Sequence, residues 1–161
     1  MKYLGIKPTD FNNGDGINVS FWVSGCPHHC KGCHNPESWD PNKGTEFTLA
    51  AVCDVLREMD KIWKPDLAIL GGEPLADYNY KDVENLCYFV KQAYPDRKIW
   101  LWTGYILADL QAEDKLEILE YIDFLITGGY VESERDTTLK YKGSKNQTVW
   151  KVDGGKLESW K

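Results

Sequence analysis

The sequence lacks the features of membrane, secreted and nucleic-acid-binding proteins. None of its apolar runs approaches the length that spans a bilayer, and residues 1–5 lack the apolar core of a signal peptide. Basic residues are also few, since 19 Lys and Arg stand against 25 Asp and Glu. The net charge of -6 argues against a nucleic-acid partner, whose binding surfaces are basic. We therefore expect a cytoplasmic protein with neither a membrane nor a nucleic-acid partner.

Cysteine is scarce and odd in number. Five cysteines fit poorly with a disulfide framework, and thiols stay reduced in the cytoplasm. Repeats, low-complexity segments and an evident linker are absent as well. The chain is long enough for one domain with a sizeable core. We expect residues 1–161 to form a single domain.

Three of the cysteines are concentrated in one short loop. Cys26, Cys30 and Cys33 have the spacing C-x3-C-x2-C. Thiolate is a soft ligand, so three thiols at this density indicate a metal site. A structural zinc site needs four ligands. A cubane iron–sulfur cluster held by only three local cysteines leaves one iron open, where a small molecule can bind.

Two other interpretations of this loop stay open. One of the three histidines, His28, His29 and His34, is able to supply a fourth zinc ligand. However, the loop is tight, and no second Cys/His pair follows downstream. In the second interpretation, the cysteines bind no metal and are buried as small hydrophobic residues, as lone cysteines often are. Their density and the flanking Gly and Pro argue against that interpretation.

The rest of the chain alternates between predicted strands and helices. Residues 17–24, rich in β-branched and aromatic residues, predict a strand that ends at the cysteine loop. Further strands are predicted at residues 67–70, 99–102, 124–126 and 148–152. Residues 1–16 are polar and rich in turn signals, residues 106–120 predict one or two short helices, and the end after residue 152 is marginal.

Two longer helices are predicted from apolar residues at helical spacing. The first follows Thr48 as N-cap and ends before Pro65, with an apolar face of Leu49, Val52, Cys53, Leu56, Met59 and Trp63. The second has Asp82 and Glu84 near its start and an apolar face of Val83, Leu86, Cys87, Val90 and Tyr94. Cys53 and Cys87 are therefore predicted to be core residues rather than ligands.

This alternation predicts an α/β fold with a parallel sheet. Four consecutive predicted strands end in Gly-containing loops, and parallel strands place such ends on one edge. The cysteine loop and the three later loops are therefore expected to converge on one site. A complete eight-stranded barrel needs about 250 residues, so we expect a partial (β/α) barrel.

A second motif gives these residues a family resemblance. The C-x3-C-x2-C loop is followed by Gly71-Gly72-Glu73-Pro74 at a strand end, and this combination resembles the radical S-adenosylmethionine (SAM) superfamily. The resemblance implies a radical SAM type of partial barrel and a [4Fe-4S] cluster held by three thiolates. It also implies that SAM chelates the fourth iron, and that one electron cleaves a carbon–sulfur bond to form a 5′-deoxyadenosyl radical.

Within this superfamily the similarity is closest to one group. Residues 22–36, 71–75, 100–105 and 142–147 are similar to the activating proteins of anaerobic (class III) ribonucleoside-triphosphate reductases. The resemblance implies abstraction of a hydrogen from a glycine of that reductase, which leaves a glycyl radical. It implies the reductase as protein partner and an electron donor such as flavodoxin or a similar reductant.

The resemblance also assigns the site residues. It implies three cluster ligands, Cys26, Cys30 and Cys33, and no catalytic residue beyond the cluster and SAM. The implied SAM-binding residues are Gly32, Cys33, His34, Gly71, Gly72, Glu73, Pro74 and Thr103. The segment 71–74 receives the methionine amino group, and residues 32–34 contact the adenosyl moiety. Gly32 cannot stack on adenine, which leaves backbone contacts or the ring of His34.

Two departures and two alternatives accompany this assignment. Thr127 stands where these activators have Asp, and Lys142 stands where Arg is usual, so a charged and a bidentate contact are altered.

The first alternative is an activator of another glycyl-radical enzyme, such as pyruvate formate-lyase. Those activators are typically longer, and some carry extra cysteine-rich modules that this chain lacks. The second alternative is a non-catalytic zinc-binding protein.

Overall fold

One mixed sheet is the frame of the protein. The computed structural model describes residues 1–160. The regular elements in chain order are β1 (Lys2–Asp10), β2 (Asn18–Val23), β3 (Thr45–Glu46), α1 (Leu49–Met59), β4 (Asp66–Gly71), α2 (Asp77–Ala93), β5 (Ile99–Trp102), α3 (Leu107–Ala112), β6 (Phe124–Thr127), β7 (Thr148–Asp153) and β8 (Lys156–Ser159). Short 3-10 helices cover Pro36–Ser38, Leu116–Glu120 and Glu132–Glu134.

The sheet has eight strands in the order β3-β1-β2-β4-β5-β6-β7-β8. Its four central strands, β2, β4, β5 and β6, are parallel, and the outer strands on both sides are antiparallel. The predicted α/β class and the parallel pairing of these four strands are thus confirmed. Because parallel strands run in the same direction, their C-terminal ends lie along one edge. Closure of the sheet into a partial barrel stays a prediction.

Both faces of the central strands are buried. Alternate residues such as Ile69, Leu101 and Leu125 join the main core, which also contains residues of α1, α2 and α3. The other face holds an aromatic cluster that includes Trp100 and Phe124, whose ring centroids are 3.8 Å apart. Burial on both faces explains the continuous apolar runs of these strands. None of the helices within residues 1–160 is long and apolar enough to cross a membrane.

The predicted apolar face of α1 is partly wrong. The helix ends at Met59, and its buried residues are Ala51, Val52, Val55 and Met59. Cys53 is exposed rather than in the core, because each residue turns the helix by about 100° and Cys53 points away from Val55. Leu49 and Trp63, also predicted on this face, are 66% and 50% exposed. In α2 the prediction is confirmed for Cys87, which is fully buried.

Strands β1, β3 and β8 were not predicted. Residues 1–16 contain β1, which pairs with β2 along most of its length, and β8 forms a hairpin with β7. The buried Asp10 ends β1 and accepts hydrogen bonds of 2.6 Å from Ser20 Oγ and Asn13 Nδ2. Burial raises the pKa of Asp10, but these and other hydrogen bonds outweigh burial and lower it to about 2. Asp10 thus fixes the following loop against β2.

The start of α2 also differs from the prediction. The helix begins at Asp77, so Asp82 and Glu84 lie in its second turn rather than at its start. The carboxylate of Asp82 forms an ion pair with the amino group of Met1, which ties the helix to β1.

Candidate functional site

The cysteine loop lines a large cleft at the C-terminal edge of the parallel strands. The loop follows β2, and its three cysteines are all partly buried. All three line a cleft of about 950 Å³, together with residues of the segment after β4 and the segment after β5. The sequence-based expectation that these strand-end loops share one site is therefore confirmed in position.

Backbone contacts determine the path of the loop. Gly25 has a positive φ of 88° and donates its N–H to the carbonyl of Ser38 over 2.8 Å. Cys26 N–H donates to Trp39 over 3.1 Å, and Cys33 N–H donates to Cys30 over 3.1 Å. The last of these bonds closes a tight turn between two of the cysteines. The loop therefore has a defined conformation that presents its thiols to the cleft.

The thiol chemistry fits a metal ligand. Burial raises the pKa of Cys26 to about 11, because the charged thiolate is poorly solvated there. At neutral pH this thiol is protonated in the isolated chain, which does not suit a nucleophile. A metal reverses the preference, since a coordinating thiol is deprotonated outright.

The thiols that line the cleft all belong to the cysteine loop. Within residues 1–160, no three His, Cys, Asp or Glu side chains are placed to hold a single metal ion. Cys53 and Cys87 lie on α1 and α2 and do not line the cleft. The local donors are thus the three loop cysteines.

Glu73 lines the same cleft and is fully buried. Its Oε1 accepts hydrogen bonds from Leu75 N–H (2.9 Å) and Thr103 Oγ1 (2.7 Å). Its Oε2 accepts one from Gly104 N–H (2.7 Å) and contacts His28 Nε2 at 2.8 Å. This carboxylate therefore connects the segments after β2, β4 and β5.

The close approach of two loops beside Glu73 depends on glycine. A Cβ on Gly72 would stand 2.2 Å from the carbonyl oxygen of Gly25, which is shorter than any real contact. The same carbonyl accepts the N–H of Glu73 over 2.7 Å. Pro74, next in the motif, is buried. The Gly-Gly-Glu-Pro segment is thus packed directly against the start of the cysteine loop.

The histidines of the loop have different surroundings. His28 is bonded to Glu73, and this bond raises the pKa of His28 although burial opposes it. His29 stacks on Trp39 with ring centroids 4.7 Å apart. His34 is exposed and lines the cleft, as expected for a residue next to Cys33. Sequence reasoning treated His28 only as an alternative zinc ligand and missed its partner.

Gly32 contacts an acidic residue that the sequence did not single out. A Cβ on Gly32 would stand 2.7 Å from Oε1 of Glu132. Glu132 also forms an ion pair of 3.5 Å with Lys31 and lines the cleft. No local pattern marks this contact, because the two residues are 100 positions apart in the chain.

Of the two departures from the family pattern, only Lys142 lines the cleft. Thr127 is buried, and its hydroxyl accepts the indole N–H of Trp150 over 2.9 Å. Lys142 lines the cleft and donates its ammonium group to the carbonyl of Gln147 over 2.8 Å. Thr127 is therefore part of the β6–β7 packing, and the charge of Lys142 remains at the cleft.

Comparisons with known proteins agree with this site. Residues 12–150 match the protein family described as a 4Fe-4S single cluster domain. The anaerobic ribonucleoside-triphosphate reductase-activating protein of Enterobacteria phage T4 is 38% identical over 155 residues, which cover 96% of this chain and 97% of the relative. The protein of that name from Pasteurella multocida is 36% identical over 154 residues (94% and 98%), and that from Escherichia coli K12 is 34% identical over 151 residues (92% and 97%). The chain therefore belongs to the family of anaerobic ribonucleoside-triphosphate reductase-activating proteins.

Proposed function

We propose that this protein is a radical SAM enzyme that introduces a glycyl radical into an anaerobic ribonucleoside-triphosphate reductase. The observation that carries the proposal is that the three cysteines and Gly71, Gly72 and Glu73 of the Gly-Gly-Glu-Pro segment line one cleft. A site with three thiolates leaves one iron of a [4Fe-4S] cluster without a protein ligand. The family membership supports the choice of reductase as protein substrate.

The three cysteines and the walls of the cleft have different roles in the proposed site. Cys26, Cys30 and Cys33 would hold the cluster. When bound, the cluster and SAM would supply the radical chemistry, which is the one-electron cleavage of a carbon–sulfur bond and the removal of a hydrogen atom from a glycine Cα. The cleft walls orient SAM and limit the access of water to the reacting atoms.

The segments around the cleft have separate binding roles in this proposal. Residues 71–74 would bind the methionine end of SAM, and Gly32 and His34 would bind the adenosyl end. Thr103 supports the first of these segments through its bond to Glu73. An electron donor such as flavodoxin reduces the cluster.

An anaerobic activation assay tests the proposed function. The reconstituted protein is mixed with the cognate reductase, SAM and a reductant, and the sample is examined by electron paramagnetic resonance (EPR). We expect a glycyl radical doublet that depends on all four components. A doublet only with another glycyl-radical enzyme, such as pyruvate formate-lyase, would assign a different partner. Colourless protein that retains zinc after reconstitution would contradict the enzyme proposal altogether.

A further inference from the structure

The carboxylate of Glu73 has no free acceptor site. A carboxylate offers about four lone-pair positions, and Glu73 has contacts of 2.7–2.9 Å to four nitrogen or oxygen atoms of the protein. A buried charge of this kind is stable only when it is hydrogen-bonded. An amino group of a ligand would therefore have to displace one of these partners.

The four partners of Glu73 lie on three different loops. Leu75 belongs to its own loop, while Thr103 and Gly104 follow β5. The fourth partner, His28, lies within the cysteine loop, two residues from Cys26 and two from Cys30. His28 is thus the side chain that connects the cluster-binding loop to Glu73.

The ring of His28 is held in one orientation. It packs edge-on against Tyr105, with ring centroids 4.7 Å apart. On another side it touches Gly104, where a Cβ would stand 2.4 Å from His28 Cδ2. The side chain is only 22% exposed. These contacts direct Nε2 toward Glu73 and leave little room for a different rotamer.

We propose that His28 is a positioning residue that fastens the cysteine loop to the Gly-Gly-Glu-Pro wall through Glu73. Its hydrogen bond keeps Cys26 and Cys30 at a constant distance from residues 71–74, where the proposed function places SAM. Glu73 then acts by holding three loops together, and the backbone of residues 71–74 contacts the ligand. The inference rests on the proposed function for its effect on SAM, but its effect on the cluster does not.

Variants of His28 separate positioning from direct ligand binding. His28→Leu removes the donor, His28→Gln restores an amide N–H donor, and Glu73→Gln changes the acceptor. His29→Asn is the matched control, because His29 is the next residue and contacts Trp39 rather than Glu73. Two quantities are measured on the reconstituted proteins. The first is the rate of iron release to a chelator, and the second is the affinity for SAM, followed by the EPR change of the reduced cluster on SAM addition.

We expect His28→Leu to release iron about tenfold faster and to bind SAM about tenfold more weakly, since residues that support metal ligands have effects of this size. His28→Gln should return both values to within about threefold of the original protein. Because the two side chains act as one unit, combining His28→Leu with Glu73→Gln should add little to either single change. His29→Asn should leave both values unchanged.

The opposite pattern would overturn the inference. If Glu73 binds SAM directly, Glu73→Gln weakens SAM binding without faster iron release, and His28→Leu changes neither value. Failure of His28→Gln to restore the behaviour would also contradict it, since the donor would then not matter. Should Glu73→Gln not fold, the His28 variants alone decide. Should the original protein bind no SAM, the proposed function fails, and the rate of iron release still tests whether His28 holds the cysteine loop against Glu73.

Discussion

At the scale of single residues, the five cysteines fall into two groups with different consequences on mutation. We expect Cys26→Ala, Cys30→Ala and Cys33→Ala each to lose the cluster, because each removes one of the three thiols that line the cleft. Cys53→Ala should retain it, since Cys53 is exposed on α1. Iron and sulfide per chain after anaerobic reconstitution measure the difference.

Cys87→Ala serves as a second control on the ligand set. Cys87 is fully buried in the core, where burial raises the pKa of its thiol far above the usual range. The substitution should lower the free energy of unfolding by about 1 kcal/mol through lost packing, with the iron content unchanged. Loss of iron in Cys53→Ala or Cys87→Ala would show that the three-cysteine ligand set is wrong.

Single residues also show the limits of sequence-based prediction. The spacing of Cys26, Cys30 and Cys33 is local, so the sequence alone indicated their shared site. The side of a helix that Cys53 faces depends on how α1 packs against the sheet, and the prediction for it was wrong. The contact of Glu132 with Gly32 depends on the path of the whole chain between them, and no local sequence pattern near either residue predicts it.

At the scale of elements, the meeting of two loops at Gly72 is the most constrained contact of the site. Gly72→Ala places a Cβ 2.2 Å from the carbonyl oxygen of Gly25. The loops must separate, which breaks the Glu73 N–H to Gly25 bond of 2.7 Å. We expect a loss of about 2 kcal/mol in the free energy of unfolding and a lower iron content per chain.

Gly5→Ala is the control for this prediction. Gly5 lies in β1, and a Cβ there has no heavy atom within 4 Å. The change should alter neither the free energy of unfolding, measured by denaturant, nor the iron content, because a strand tolerates alanine at least as well as glycine. Equal effects of the two substitutions would mean that the close approach of the loops does not matter.

The elements themselves were predictable to different degrees. The four central strands are short, largely apolar runs that are each followed by a glycine within two residues, and their bounds were predicted to within a few residues. The strand β1 was missed because its residues are only partly buried and do not alternate clearly. Its conformation depends on pairing with β2, a contact between segments that local composition does not record.

At the scale of the whole molecule, the cleft and an aromatic cluster are built on the same sheet. The cysteine loop and its partners occupy the C-terminal ends of the parallel strands. The aromatic cluster around Trp100 and Phe124 lies on one sheet face, and its members Trp102 and Tyr141 also line the cleft. The tail contributes Tyr141 and Trp160 to this cluster. The last part of the chain therefore stabilises the sheet that positions the cleft.

We predict that Trp160, at the end of the tail, affects stability without affecting cluster binding. The ring of Trp160 packs 4.8 Å from that of Phe124 and 5.2 Å from that of Tyr141, and it does not line the cleft. Trp160→Ala should lower the free energy of unfolding by about 2 kcal/mol, or the midpoint of thermal unfolding by on the order of 5 °C.

The control is Trp63→Ala, at a half-exposed site after α1, which should change the free energy of unfolding by less than about 0.5 kcal/mol. Iron content per chain should stay the same in both variants, because neither ring contacts the cysteine loop. A loss of iron in Trp160→Ala alone would contradict this prediction and would show that Trp160 acts on the cleft through its contact with Tyr141.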